Sequence, residues 1–537
     1  MTNRQSIDRR SFLVTGTTLS VAGLVCRGKA MAGPAGLPSD NPAKGLDLDW
    51  AEQIKWDKVI DVTKVPGKNW NERFDRAQQA VVAQGGGVVY FPAGTYEFTD
   101  SLKLNGNVVL RGADPGRVSK AIDDKYSPPT RFEFPKYRPI LSGSGSPISA
   151  AFRGIHLADA ATASNCGVVH VDIRHGHIHF PEDEGHRAGK NRIVFGCRLY
   201  ASAIADTAVP DVSIGQHAWQ RYTKWHFGAI NVYAAENILV ANNRLPDSSD
   251  ANFTMKGYVM QGNHRTATPT VTYDVVFDYN NRPGIRVQEM CIGAPGGEEP
   301  SGTPNSHPWG FRQGFVIRDN YIYSSGRTAI AFTGDGTKCL ENVVRFPKDV
   351  WRQTNTGLRV TSGSSTNDNR AVQMRGYRWH VEGNDYVVHR NWAADHKYYI
   401  NDGEGLMHEN HCNAHVVDGK LIGNRGNTYL SIYKTGGIDG LLIEDNDIRV
   451  SHGVAIMADA DHSINHRGAC RNCRIVNNTT AGGIRIAGSP AADNLVKGNR
   501  ALKPDDAIRN IANARVEGNQ GYTVEEGFTE RELRKKR

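Results

Sequence analysis

The chain of 537 residues has no long apolar run after residue 32 and no extended 3.6-residue hydrophobic periodicity. Those two absences exclude a bundle of membrane-spanning helices and a large helical domain. Charge of one sign is also missing from the body of the protein. Of the net +8, residues 1–32 carry +4 and the tail from Glu530 to Arg537 carries +3, which leaves +1 for everything between them. A generally basic surface for nucleic acid is thereby excluded. Zinc-finger spacing is absent as well: Cys470 and Cys473 in "ACRNCRIVNN" form a C-x-x-C pair, but no second pair or ligand histidines follow at the required distance. Buried thiols or one local disulfide are the readings left for that pair. What the chain does have is 57 glycines, short aliphatic runs, and recurring Asn-Asn and Gly-Asn pairs, the composition of a β-rich, turn-rich protein.

The N-terminus, "IDRRSFLVTGTTLSVAGLVCRGKAMAG", places paired arginines before a modest apolar run and the small-residue site Ala30-Met31-Ala32. It resembles a twin-arginine export signal, which implies cleavage after Ala32 and a folded protein delivered to the periplasm or beyond. The run is short for a membrane anchor, and no other segment could cross a bilayer. Cys26 follows Val25, where a lipoprotein cysteine wants a small residue. Without the signal, the seven cysteines that remain are Cys166, Cys197, Cys291, Cys339, Cys412, Cys470 and Cys473, an odd number that cannot pair completely.

Further on, "NWNERFDRAQQAVVAQGGG" reads as a short amphipathic helix capped by Asn71, with Phe74, Ala77 and Val81 on one face and Gly85 to Gly87 as its stop. "VVYFPAGTYEF" and "NVVLRG" then read as strands around a Pro-Ala-Gly turn. Short strands ending in Asn-containing turns recur after that, including "NILVANNRL", "FVIRDNYIYSSGRTAIAF", "WHVEGNDYVV" and "LLIEDNDIRVSHGVAIM". From Asn424 through Asn446, Asn478, Asn499 and Asn519 the steps are 22, 32, 21 and 20 residues. Coils of that length, each ending at an asparagine that tolerates the left-handed conformation and can bond along a stack, describe a solenoid. The arrangement resembles the pectate-lyase-like right-handed parallel β-helix superfamily over roughly residues 70 to 520. It implies an all-β, single-stranded right-handed parallel β-helix (solenoid) with an N-terminal capping helix that shields the first sheet edge. A propeller or a sandwich would need a Trp-Asp repeat or a series of hairpin turns, and neither is present. The expected organisation is a signal at 1–32, a polar leader at 33–69, the β-helix at 70–522 and a charged tail at 523–537.

Long loops at about 111–147, 181–228, 291–312 and 349–378 could wall a cleft. They and their borders hold Trp219, Trp225, Trp351 and Trp379, which could stack on sugar rings or simply pin loops to the barrel. Aligning the strands by alternating apolar residues puts Val287, Phe332, Ile400, Ile432, Ile456 and Ile486 on one inward rung. One step on come Gln288, Thr333, Asn401, Tyr433, Met457 and Ala487; two steps on come Glu289, Gly334, Asp402, Lys434, Ala458 and Gly488. Ionisable residues crowd the middle coils of that alignment. The echo of "TGDG" in "NDGEG" sets Asp335 near Glu404 in an alternative register.

Three readings of Asp402 and Glu404 stay open at this level. They are an inverting acid/base pair, ligands for Ca²⁺ together with Glu289, or acids bonding the amides of a Gly-rich turn. His408, Glu409 and His411 lack the spacing of the zinc-protease motif, so His408 is read as a proton-transfer residue. In "RHGHIHFPEDEGH", His175, His177 and His179 are expected on one strand face, as a zinc site or as a solvated surface.

The superfamily resemblance implies an exported carbohydrate-active enzyme working on a polymer laid along the sheet. Gly-His-Gly, Arg-x-Lys, Trp-x-Asp-His and Arg-x-Pro-x-x-Arg, the signatures of its polygalacturonases and pectate lyases, are missing, so the activity belongs to a divergent branch. The favoured reading is a polysaccharide lyase that cleaves a uronate polymer by β-elimination. In it Lys434 or His408 is the base, Tyr433 the proton donor, and Arg390 or Lys397 the carboxylate partner, with Gln288, Asp335, Tyr399 and Asn401 in the binding wall. The alternatives are a glycoside hydrolase using Asp402 and Glu404, and a non-catalytic glycan-binding β-helix. Ca²⁺, at Asp402, Glu404 and Glu289, is the one cofactor considered; the partner is a polysaccharide, with no nucleic acid and no membrane span after signal cleavage.

Overall fold

A computed structural model describes residues 36–526, the longer gaps being 201–229, 246–257, 289–314, 347–369, 389–403, 409–415 and 461–467. Each turn of the chain adds one strand to each of several stacked sheets. In one sheet Lys338–Leu340, His380–Glu382, Lys420–Ile422, Leu442–Glu444, Arg474–Val476, Leu495–Lys497 and Arg515–Glu517 pair in succession, all parallel. That is a right-handed parallel β-helix, the hand that parallel strand connections adopt almost without exception. The longest sheet has 14 strands among the described residues, running from Leu102–Leu104 to Tyr522–Glu526. Parallel pairing is interrupted once within it, where Val271–Phe277 runs antiparallel to both Ile230–Ala234 and Pro283–Gln288.

Alternation along each strand builds the core. In the long sheet Ile155, Ile178, Ile230, Ile330, Val372, Leu430, Ile456, Ile484 and Ile508 are fully buried in one continuous cluster. Each of these strands contributes an aliphatic rung, so none of them buries its apolar face alone.

Helix α1 (Trp70–Ala83) closes the N-terminal end as expected, with Phe74, Ala77 and Val81 buried. Its cap is Asn69 rather than Asn71: the Asn69 side chain accepts from the Glu72 amide at 2.9 Å. Asn71 instead accepts from the Thr99 amide and donates to the Asp100 carbonyl, tying the helix to the first coil. Gly85 and Gly86, at φ +78 and +108, end the helix in a conformation that a side chain resists.

The stretch ahead of the helix, read as a polar leader, holds an apolar strap. Trp50, Ala51, Ile54 and Trp56 pack on Val88, Val109, Val169, Ile193, Leu239 and Ala241, the outward residues of the first sheet. Val89, Leu110, Val168, Val194 and Val240 of the same strands face the core. Continuous apolar strands such as "GVVYF" follow from burial on both faces. Arg111 fastens the strap by donating to the Asp40 carbonyl and carboxylate.

Two asparagine stacks run along the solenoid. Asn320, Asn342, Asn384, Asn424, Asn446, Asn478, Asn499 and Asn519 bond in file, each Nδ2 donating to the next Oδ1 at 2.7–3.0 Å. A shorter file of Asn107, Asn165, Asn191 and Asn237 stands at the entrance to the first sheet.

Candidate functional site

The strand register of the long sheet decides which predicted residues share a face. The inward row reads Val287, Phe332, Met374, His408, Ile432, Ala458 and Ile486. Two strands, Arg370–Tyr377 and Glu404–His408, stand between Phe332 and Ile432, so Ile400 is not the residue on this rung and lies outside the described residues. Ile456 pairs with Leu430 instead of Ile432, a slip of two that preserves its facing.

This register relocates several candidates. His408 pairs in register with Met374 on one side and Ile432 on the other, both fully buried in the core. Glu404 begins its strand opposite Arg370, four residues before His408. Gln288 stands one step beyond the inward row at the other end. Glu404 and the Gln288 end are thus five steps apart along the strand direction, roughly 16 Å before any lateral spacing is added. Asp335 pairs with Tyr377, far from Glu404. Asp402, Lys434, Glu289, Arg390, Lys397, Tyr399 and Asn401 lie outside the described residues, as do Trp219, Trp225 and Trp351. Trp379 is fully buried, its ring over the place where a Gly419 side chain would stand, which fits the pinning reading.

The outward row next to the inward one reads Gln288, Thr333 and Arg375, and then, beyond the Glu404–His408 strand, Tyr433, Asp459 and Ala487. Arg375 was hidden from sequence alignment because its strand sits inside the segment read as the 349–378 loop. Asp459 is fully buried although its row faces outward, and it accepts from Arg485 Nε at 2.6 Å. Removing two charges from water costs several kcal/mol per ion, and a close partner offsets it. Around Asp459 and Arg485 the outer face is dry and charged, unlike the aliphatic interior behind it.

A second polar group occupies the N-terminal part of the same outer face. Lys103, His156, His179 and Asn231 occupy one row across four adjacent strands. His177, two residues before His179 in the His177–Phe180 strand, lies opposite Gly154. The three rings cluster: the centroid of His156 is 4.9 Å from that of His177 and 5.9 Å from that of His179, and the last two are 6.0 Å apart. His175, expected to join them, is in a turn at φ +57; His156, one coil earlier in the sequence, takes its place. Burial pushes His156 below the usual imidazole range, with Asp100 opposing and Lys103 assisting. His179 is driven down to about 4, first by burial and then by His156. Both rings are therefore neutral near pH 7. No three His, Cys, Asp or Glu side chains among the described residues are set to hold a metal ion.

Elsewhere the polar side chains serve structure. Asp172, fully buried, accepts from Arg131 and Arg198 at 3.0 Å each, across neighbouring strands. Cys470 and Cys473 face each other in the core, Sγ to Sγ 3.4 Å, as free thiols.

No family model matches the chain, and no curated protein does. Among solved structures it is similar to PfbA, a surface adhesin of Streptococcus pneumoniae, at 13% identity and a TM-score of 0.36, over 88% of this chain and 93% of that one. A PL6 alginate lyase in complex with a trisaccharide matches at 12% identity and 0.36, over 87% and 85%. The A-module of the Azotobacter vinelandii mannuronan C-5 epimerase AlgE4 matches at 10% and 0.25, over 88% and 98%. At these scores none of them bears on the activity.

Proposed function

We propose that the chain is an exported carbohydrate-active enzyme that cleaves a uronate-containing polysaccharide by β-elimination on the outer face of the long sheet. One observation supports the reading above the others: Gln288, Thr333, Arg375, Tyr433 and Asp459 occupy a single outward row in the middle coils. The row turns apolar at Ala487 and Ile511. Polar and charged groups thus gather where a solenoid needs none for stability.

In this reading Arg375 pairs with the uronate carboxylate, which acidifies the proton on the adjacent carbon. Lys434, next to Tyr433 in sequence, accepts that proton. The C–H electrons form the C=C bond, the glycosidic C–O bond breaks, and Tyr433 protonates the departing oxygen. Asp459, fixed by Arg485, stands beside Tyr433 in register and holds its surroundings polar. Lys434 is taken as the base in preference to His408, whose register partners Met374 and Ile432 are core residues.

Incubation with a panel of uronate polymers, followed by ultraviolet absorbance of the unsaturated product, tests the proposal. Absorbance that rises with wild type and is lost with Tyr433→Phe supports it. New reducing ends without absorbance would point to hydrolysis, and retention without new ends to a binder.

A further inference from the structure

We propose that Lys103, His156, His177 and His179 form a second saccharide site on the outer face of the long sheet, one that takes a carboxylate-bearing sugar. The proposal rests on the proposed function only in its choice of a uronate as probe.

Geometry comes first. Lys103, His156 and His179 are on three successive coils in exact file across the sheet, about 4.8 Å per step. Their placement repeats along the solenoid axis, as the residues of an extended polymer do. Gly154 makes room for the cluster: a Cβ there would meet the His177 carbonyl oxygen at 2.0 Å. The coil carrying His156 therefore has no side chain opposite His177, and the His156 ring closes over that place, 4.9 Å from the His177 ring.

Chemistry supplies the ligand class. His156 Nε2 is buried and has no hydrogen-bond partner, which is costly unless a ligand supplies one. Neutral imidazoles offer donor and acceptor nitrogens without net charge, the complement of sugar hydroxyls. Lys103 is exposed at the edge of this floor and brings the cation that a carboxylate needs. Asp100 and Arg153, also nearby, approach each other at 4.0 Å. A metal site is the rival, and the side-chain arrangement does not support it.

The Lys103 end of the site lies far from Arg375 of the central row. From the Leu102–Leu104 strand to the Arg370–Tyr377 strand there are seven strand steps, roughly 34 Å. Only a long oligomer can occupy both, so the site's contribution must grow with chain length.

The experiment is calorimetric binding of a length series of oligogalacturonates, oligomannuronates and oligoglucuronates to the full chain. Lys103→Gln and His156→Gln are compared with wild type, and circular dichroism melting checks their fold. We expect long oligomers to bind roughly tenfold to a hundredfold more weakly to Lys103→Gln, the loss widening with length. Lys103 is exposed, so that variant remains informative if His156→Gln unfolds. Long oligomers that bind Lys103→Gln as tightly as wild type overturn the proposal, and so does a loss equal at every length. Failure of wild type to bind any oligouronate overturns it too, as does Zn²⁺ alone raising the melting temperature in a His156-dependent way. If oligouronates are held in a Lys103-dependent manner but never cleaved, the lyase reading fails and this one stands.

Discussion

The two asparagine stacks use the same residue for different physical reasons. In the N-terminal coils, Asn107, Asn165, Asn191 and Asn237 themselves have φ between +51 and +61. Each later residue donates its amide to the one before, at 2.7–2.9 Å. In the C-terminal coils the direction reverses, and each asparagine donates to the one after it. There the positive φ belongs to the residue in front: Asp319, Glu341, Gly383, Gly423, Asp445, Asn477, Gly498 and Gly518. The stacked asparagine then points inward, and its Oδ1 accepts both the side-chain and the backbone N–H of its predecessor. The first stack is selected for backbone conformation and the second for the capacity of the amide. One is a turn preference; the other is a buried polar network in which every member depends on its neighbours.

The largest effect should come from breaking the second stack. Asn446 donates to the Leu421 and Glu444 carbonyls and to Asn478, and accepts twice from Asn424. Asn446→Ala would remove the acceptor of two Asn424 N–H groups and the side-chain donor to the Leu421 carbonyl, at ~1–3 kcal/mol each, or roughly 3–9 kcal/mol in all. Urea unfolding should show that loss. Because coils stack in one dimension, it should be concentrated in the C-terminal coils and read as a broadened transition. An unchanged midpoint would mean the stack is ornamental.

Acid should strike the other region. His170 and His179 are pushed down to about 4, burial being the first cause in both, and His156 is lowered as well. A base with a depressed folded pKa binds fewer protons folded than unfolded, so its contribution is complete above the unfolded value near 6.5. It is lost as pH falls from there toward 4. For His170 and His179 a few kcal/mol each is at stake at the lower end. Amide hydrogen exchange compared at pH 7 and pH 5 should show protection falling in coils 154–200, with less change in coils 420–511. Equal loss in both regions would reject the assignment to these imidazoles.

How much of this was readable beforehand follows from the same contrast. The second stack was visible as steps of 20 to 32 residues between asparagines, because an inward amide forces one residue type at one place per coil. The solenoid followed from it. The face of the sheet was harder to read. Arg370–Tyr377, "RAVQMRGY", mixes arginine and glutamine into a strand and resembles a loop, so its coil was missed and the alignment set Ile400 on a rung that Met374 and His408 occupy. His156 is not legible in the sequence as a member of this cluster, because it joins His177 and His179 only through register, at a sequence distance that periodicity does not measure. A turn residue identifies itself locally; a neighbour across coils does not.

A smaller effect separates the stacks by chemistry. Asn165→Ala would lose two side-chain bonds, the one it donates to Asn107 and the one it accepts from Asn191, and place alanine at φ +51, costing roughly 2–5 kcal/mol. Asn165→Gly should recover the conformational part. At Asn446 no such recovery is expected from glycine, since what is lost there is the amide. Chemical denaturation of the four variants gives the comparison directly, and a glycine rescue of equal size at both sites would erase the distinction.

The mildest test is made at the residue that carries the positive φ in the second stack. Gly423 has φ +61, and a Cβ there would meet nothing within 4 Å, so the only cost of a side chain is conformational. Asn477 and Asp445 occupy the equivalent place in later coils at φ +57 and +55. Gly423→Ala should therefore cost about 1 kcal/mol, and Gly423→Asn only a few tenths, because asparagine tolerates this region. Gly440, at φ +72, is the control: a Cβ there would stand 2.2 Å from Asp418 Oδ1, so Asn and Ala should both be destabilising. If Gly423→Asn proved as costly as Gly440→Asn, space rather than backbone conformation would explain the glycines, and the division of labour within each turn would have to be redrawn.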